Sequence, residues 1–518
     1  MNIIRDWEHF WHNRALFKLG TIPTEKPNPK TIGLAELAQN DLKSAINLLI
    51  DIDYNALNTL LNYTKHCLPI QQQIKSVLDN NGKIFIVGCG ATGRLALILE
   101  KLWRDKSPKP LSNRIIGFIA GGDTALVKSI EGFEDHPHYA HMQIKELGFT
   151  KNDLMIGVTE GGETPFVLAA VEYAINNSNY NPWLLYCNPD ESLSKVYRAH
   201  NLIKSKEVNN LCLFVGNMAL TGSTRMQAST VQTLALGVSI LNYIQPINLT
   251  TEIRNLIKAI QQINQHDLFK IIIDEANIYK NNGLITYQTS RDFGLSVLTD
   301  TTERSPTFNT RPFENNQDKI QAPSLCFLSI KDIKSSQKAW EDILGHSPRT
   351  IEWSSSINET GYNRLLGYNI SSNAYQQRKK VFPTKRHYLF KIIYNLEENY
   401  LSFKSHSNEI KINTTKLSPL TLQLLLKCTL NIHSTLVMAL LKKFQSNIMT
   451  YVFPGNNKLI DRATRYAMHL LEQEGIKYSY DEVVQAMYLA GESSTFNESI
   501  VLNTVAQIKL KYDANAIR

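Results

Sequence analysis

Ile84-Phe85-Ile86-Val87-Gly88-Cys89-Gly90-Ala91-Thr92-Gly93-Arg94 is an apolar run that empties into three glycines and then into a helical pattern. A strand followed by such a turn aims backbone N–H groups and a helix N-terminus at one point, a geometry that binds anions. By spacing alone the turn also matches a dinucleotide fingerprint, which is a weak signal. A nicotinamide site wants an acidic residue at the end of the next strand, but Ile115-Ile116-Gly117-Phe118-Ile119 runs on through Ala120-Gly121-Gly122 before Asp123. Phosphate binding is therefore favoured over NAD, with a tight structural turn as the bland alternative.

Outward from this stretch, further short apolar runs at 115–119, 154–158, 184–187 and 212–215 alternate with helix-length segments. That alternation predicts βαβ units and a mostly parallel sheet. Two more loops follow predicted strands: Thr159-Glu160-Gly161-Gly162-Glu163-Thr164-Pro165, and Leu220-Thr221-Gly222-Ser223-Thr224-Arg225-Met226 before a helix over 221–241. Each alone reads equally as ordinary helix capping. Three at successive strand ends point to a ligand, because open α/β sheets bind at the carboxyl ends of their strands. Between them, Glu131-Gly132-Phe133-Glu134-Asp135 reads by itself as a solvated acidic turn.

A second set of runs at 283–287, 324–328, 350–353 and 388–392 predicts a further α/β unit with fewer glycines in its loops. Polar residues 400–416 read as a junction, and helical patterns over 420–444, 459–474, 480–490 and 497–510 predict an all-helical end. The expected organisation is a helical preface (1–55), a first α/β domain (56–250), a degenerate second one (251–415) and a helical lid (416–518).

Of 518 residues, 43% are hydrophobic and 20% charged, a globular composition long enough for several cores. A formal charge of +8 over that length is too dilute for a nucleic-acid footprint. The start, Met1-Asn2-Ile3-Ile4-Arg5-Asp6-Trp7-Glu8, is not a secretory signal, and no run approaches the ~20 apolar residues that span a bilayer. Six cysteines lack CxxC spacing, so neither disulfides nor a metal site is expected. A cytoplasmic protein without nucleic-acid or membrane partners is the expectation.

Five motifs in one order make a more specific case: Gly88-Cys89-Gly90-Ala91-Thr92-Gly93-Arg94-Leu95, Ile119-Ala120-Gly121-Gly122, the Glu131 to Asp135 run, Cys187-Asn188-Pro189 and the Leu220 to Met226 run. They resemble the sugar-isomerase (SIS) domains of N-acetylmuramic acid 6-phosphate etherases and glucokinase regulatory protein. The preface, with Thr24-Glu25, Asn28-Pro29 and Thr31, resembles that family's entry segment. The resemblance implies two SIS-type domains with parallel sheets flanked by helices, a C-terminal all-helical lid, and a phosphosugar ligand. It implies Thr92, Thr159, Ser223 and Thr224 near the phosphate, Gly90, Gly93, Glu160 and Gly161 in the binding loops, and Glu134 near the sugar ring. Lys443 matches a lysine by which the regulator reaches its phosphosugar.

The departures matter as much. Leu102 stands where the etherases carry a second catalytic glutamate. Thr302-Glu303-Arg304-Ser305-Pro306-Thr307-Phe308 resembles that glutamate's segment, so Glu303 either completes a composite catalytic pair with Glu134 or is an ordinary turn residue before Pro306. Gln227 and Glu163 replace a lysine and an arginine of relatives, removing positive charge. The implied function is a regulator that senses a sugar 6-phosphate, with a kinase or other protein as partner, or else an etherase-type lyase releasing D-lactate. Neither needs a metal or cofactor. An isomerase has less support, since no His with a nearby Glu stands in the loops. A fused tandem fits a monomer with an internal pseudo-dimer, or a homodimer.

Overall fold

The computed structural model describes residues 7–128, 130–494 and 496–516; positions 1–6 of the expected preface and 517–518 of the expected lid lie outside the described residues. The first sheet holds β1 (Ile84–Gly88), β2 (Ile115–Ile119), β3 (Leu154–Val158), β4 (Trp183–Tyr186) and β5 (Asn209–Cys212). Its order is β2-β1-β3-β4-β5, with every neighbouring pair parallel. β1 to β4 are buried at every position, as unbroken apolar strands must be when helices cover both faces. The chain leaves β1 for β2 on one side and returns to β3 on the other. The crossovers part above the carboxyl ends of β1 and β3, and at that switch point such sheets take their ligands.

The second sheet holds β6 (Gly283–Thr289), β7 (Cys326–Ile330), β8 (Arg386–Asn395), β9 (Tyr400–Lys404) and β10 (Glu409–Asn413), in the order β10-β9-β8-β6-β7. β6 pairs in parallel with β7 and β8, so β7-β6-β8 repeats the arrangement β2-β1-β3. The second sheet, implied to be parallel, carries an antiparallel extension at β9 and β10. The short connection after β8 turns on Asn399 (φ 52°) and is far too brief for a parallel crossover. Most of the stretch 400–416 is thus a strand pair, Tyr400–Lys404 and Glu409–Asn413, rather than a junction. Ile410 and Ile412 face the core while Glu409, Lys411 and Asn413 face solvent, a period of two disguised by charge at every second place.

Three further boundaries move. β5 lies ahead of the apolar run at 212–215, and the helix expected from 221 begins at Gln227. The strand expected at 350–353 does not form. Its neighbour Arg349 bonds across to the first half instead, its N–H donating to Asp123 Oδ2 (2.6 Å) and its carbonyl accepting from Asp123 N (3.0 Å).

The helix Pro419–Leu440 is buried from Leu420 to Ala439, apolar nearly all round, and packs against helices of the preface and of both α/β units. It is a central spine. Helices Asn457–Gln473, Tyr480–Ser493 and Ile500–Ala516 pack on one another at the chain's end. The fold is α/β with two sheets flanked by helices and a helical C-terminal region. Among the described residues no helix is long and apolar enough to cross a membrane.

Candidate functional site

A cleft opens above the carboxyl ends of β1 and β3. The first sheet supplies Cys89, Gly90 and Ala91 after β1, Glu134 after β2, and Glu160 and Thr164 after β3. Gly222, Ser223, Thr224 and Arg225 form a further wall, leading into the helix Gln227–Leu241. Glu303, Pro306 and Thr307 enter on the helix Gly294–Phe308, which follows β6. Asn456, Lys458 and Arg462 close the cleft from the start of the helix Asn457–Gln473. Three parts of the fold thus share one site.

Four helices begin on this cleft, at Gly90, Pro165, Gln227 and Asn457, so partial positive charge and N–H groups converge there. The Gly-rich turn achieves this because the first helix sits hard on the sheet: a Cβ on Gly93 would lie 2.3 Å from Ile119 Cγ1. Gly222 takes a left-handed φ of 73° and lets Arg462 pass close by. Ser223 Oγ and Thr221 Oγ1 are buried without a hydrogen-bond partner among the described residues. Such atoms are costly unless a ligand or water meets them.

Sequence-predicted binding residues divide into two groups. Gly90, Glu160, Ser223 and Thr224 line the cleft. Thr92, Gly93, Thr159 and Gly161 stand behind it and shape the loops. Thr92 Oγ1 accepts from Cys89 N (3.1 Å), and Thr159 Oγ1 pairs with Thr164 Oγ1 (2.9 Å). Gly161 O accepts from Asn188 Nδ2 (3.0 Å). Lys443 is a correction: it follows the spine's last turn, donates to Asn497 O (3.2 Å), lies over the Tyr451 ring and does not line the cleft. Asp123, the acidic residue past β2, is committed to the Arg349 backbone.

Beside Arg225 and Arg462, the cleft holds a lysine that the sequence motifs do not mark, Lys458. It stands in the first turn of its helix, where the dipole disfavours positive charge unless an anion is at hand. Glu163 supplies one, 2.7 Å away. Burial opposes the charged form of Lys458, yet Glu163 and Glu25 outweigh it and hold its pKa above the usual lysine value. Arg462 is gripped by Glu25 (Nε to Oε2, 2.9 Å), and Arg225 by Asp300 (2.9 Å). Burial alone would raise Glu25, but Arg462 and Arg465 bring it down to about 2. Gln227 serves the fold, donating to the buried Asp53 carboxylate (2.6 Å).

The carboxyl groups come from both halves. Glu303 pairs with Arg94 of the first Gly-rich helix, and its Oε1 lies 3.8 Å from where a Gly90 Cβ would stand. Glu134 is partly buried rather than a solvated turn residue, and Asn456 Nδ2 approaches its Oε2 (3.4 Å). Phe133 beside it packs in a three-ring cluster with Tyr139 (4.4 Å) and Trp353 (5.7 Å), the latter from the second half. Burial pushes the Glu160 carboxyl up to about 7. Preface residues tie the walls together: Thr24 N donates to Asn188 Oδ1 (3.0 Å), and Thr31 Oγ1 donates to Ala219 O (2.7 Å). Among the described residues no group of His, Cys, Asp and Glu could hold a metal ion.

Residues 68–175 match the family model of the glucokinase regulatory protein N-terminal SIS domain. The N-acetylmuramic acid 6-phosphate etherase of Francisella philomiragia is 30% identical over 284 residues, 54% of this chain and 88% of the relative. That of Clostridium botulinum is 29% identical over 225 residues, 42% and 68% of the two chains. Tagatose-6-phosphate ketose/aldose isomerase from Escherichia coli superimposes with a TM-score of 0.32 at 14% identity, covering 50% of this chain and 64% of that one. The chain belongs to the SIS-domain family of the N-acetylmuramic acid 6-phosphate etherases and glucokinase regulatory protein.

Proposed function

We propose that the cleft binds a sugar 6-phosphate and that Glu134 and Glu303 act on it as in an etherase-type lyase, with N-acetylmuramic acid 6-phosphate as substrate. The observation that carries this reading is the meeting of two carboxyl groups from different halves in one cleft with four helix N-termini and the unpartnered Ser223 hydroxyl. The phosphate sits against Ser223, Thr224 and Lys458. One carboxylate removes the proton from the sugar carbon next to the ether carbon. The other carboxyl group protonates the ether oxygen as the C–O bond breaks, releasing lactate and leaving a double bond to which water adds. Such a step needs one carboxyl group ionised and one protonated.

A regulator is the second reading, favoured by the reach of the cleft: a sugar seated there touches both sheets' helices and the C-terminal helices at once. Ligand affinity that differs between two arrangements of these parts suffices to control a partner protein such as a sugar kinase. Incubation with N-acetylmuramic acid 6-phosphate, followed by assay of lactate, separates the two. Lactate release that disappears in Glu134→Gln and Glu303→Gln supports the lyase. A ligand-induced rise in Tm with no lactate removes the lyase and leaves the regulator. No thermal response to any hexose 6-phosphate removes both.

A further inference from the structure

Glu160 is the carboxyl group of the cleft that the two-glutamate scheme leaves unused. It lies on the loop after β3, is 8% exposed and faces the space enclosed by Glu134, Ser223 and Lys458. Glu163, three positions on, is paired with Lys458 and Arg198, Glu303 with Arg94, and Glu25 with Arg462 and Arg465. The Glu160 carboxyl accepts from its own backbone N–H, and among the described residues no side chain donates to it or forms an ion pair with it. A carboxylate buried this far without a counter-ion is costly, whereas the neutral acid carries one O–H that a ligand oxygen can accept.

The charged and titratable groups around it come from every packed element. Lys458 on the C-terminal helix and Lys427 on the spine favour the carboxylate, and Glu303 on the helix after β6 opposes it. The thiols of Cys89, after β1, and Cys187, after β4, are held protonated by burial and feel Glu160 as a neighbour. Glu134, Arg225 and Arg462 complete the cleft. The two forms are close in free energy at neutral pH, because burial outweighs the lysines and raises the group to about 7, so a ligand that needs the proton can hold it.

We infer that Glu160 meets the bound sugar phosphate as a neutral carboxylic acid, donating its proton in a hydrogen bond to a ligand oxygen, so that binding takes up a proton. The inference rests on the phosphosugar reading and names a third acidic participant in that site. Its chemistry is that of a donor to an anionic or hydroxyl oxygen, a role that glutamine reproduces and glutamate loses once ionised.

The test is calorimetric titration of N-acetylmuramic acid 6-phosphate into the full chain and into Glu160→Gln, at pH 6 and pH 8, in two buffers of different ionisation enthalpy. At pH 8 the ligand phosphate is already a dianion, so proton uptake reports the protein. Wild type should take up about one proton per site at pH 8, and Glu160→Gln none. If only the protonated form binds, wild-type affinity relative to Glu160→Gln should fall roughly tenfold between pH 6 and pH 8. An affinity ratio that does not change with pH, or wild-type binding at pH 8 without proton uptake, overturns the role of Glu160 and leaves the site standing. Proton uptake by the wild type is a readout of its own if Glu160→Gln fails to fold. Absence of binding at both pH values overturns the phosphosugar reading itself.

Discussion

The two sheets share the arrangement of their first three strands and differ in what they do at the carboxyl ends of those strands. After β1 the chain makes a glycine turn whose helix start lines the cleft. After β6, at the equivalent place, Phe293 is 3% exposed and packs edge-on against Tyr394. The carbonyl of Asp292 is capped by Gln423 of the spine (2.7 Å). The first half thus keeps its strand ends open for chemistry, whereas the second has closed them and contributes from its helix, through Glu303. Repeating a fold does not repeat its site; the second copy completes the first.

Glu303→Gln tests this division most severely. If the second half supplies a reacting carboxyl group, lactate release should fall by roughly 10²- to 10⁴-fold, as for loss of a general acid or base, with ligand-induced stabilisation retained. Unchanged turnover in Glu303→Gln would reduce the second half to scaffold.

Lys458→Met comes next. It removes the cleft's lysine and leaves Glu163, 1% exposed, with Arg198 alone, so the fold should lose about 3 kcal/mol, the low end for breaking a buried pair. Sugar phosphate affinity should drop along with Tm. Retained affinity would place the phosphate elsewhere, on Arg225 or Arg462. Trp353→Ala probes the second half's other reach into the site, the stack on Phe133 beside Glu134. Turnover should fall more than affinity, because the sugar phosphate contacts remain.

β1 to β4 were legible because they are buried, unbroken apolar runs whose loops announce themselves by glycine and hydroxyl content, whereas β5, with Asn209 and Asn210, was placed too late. β9 and β10 were not, because charged residues on one face masked their alternation. Within the site, loop residues could be read from motif order, and the Glu303 segment by likeness. Lys458 was harder: its pairing with Glu163 spans 295 positions of chain, and only its awkward place at a helix start hints at an anion. Glu160 was read as a contact, yet its proton affinity depends on how deeply the folded chain buries it, which no sequence displays.

Asp53 allows the same reasoning to be tested away from the cleft. It is 5% exposed, accepts from Gln227, and is held at about 6 by burial against an ordinary 3.8. A raised carboxyl pKa gives stability that is present in acid and lost as pH rises from the unfolded value through the folded one, here between about 4 and 6. Asp53→Asn should therefore raise Tm at pH 8 and change it little at pH 4. The gain is at most ~3 kcal/mol, from 1.36 kcal/mol per pKa unit. A lower Tm at pH 8 would mean that Lys427 needs the negative charge more than burial resists it.

Lys443→Ala should do the least. The resemblance set this lysine against the phosphosugar, but here it follows the last turn of the spine, where its ammonium reaches Asn497 O and the Tyr451 ring. Burial lowers its pKa, and no carboxylate restores it. Removing a lysine with these contacts should cost within about 0.5 kcal/mol, the range for substitutions away from a buried network. Affinity for the sugar phosphate should stay within twofold of wild type while Lys458→Met loses most of it. The reverse ranking would mean that the helix Asn457–Gln473 moves aside when ligand enters and that the spine's end takes its place.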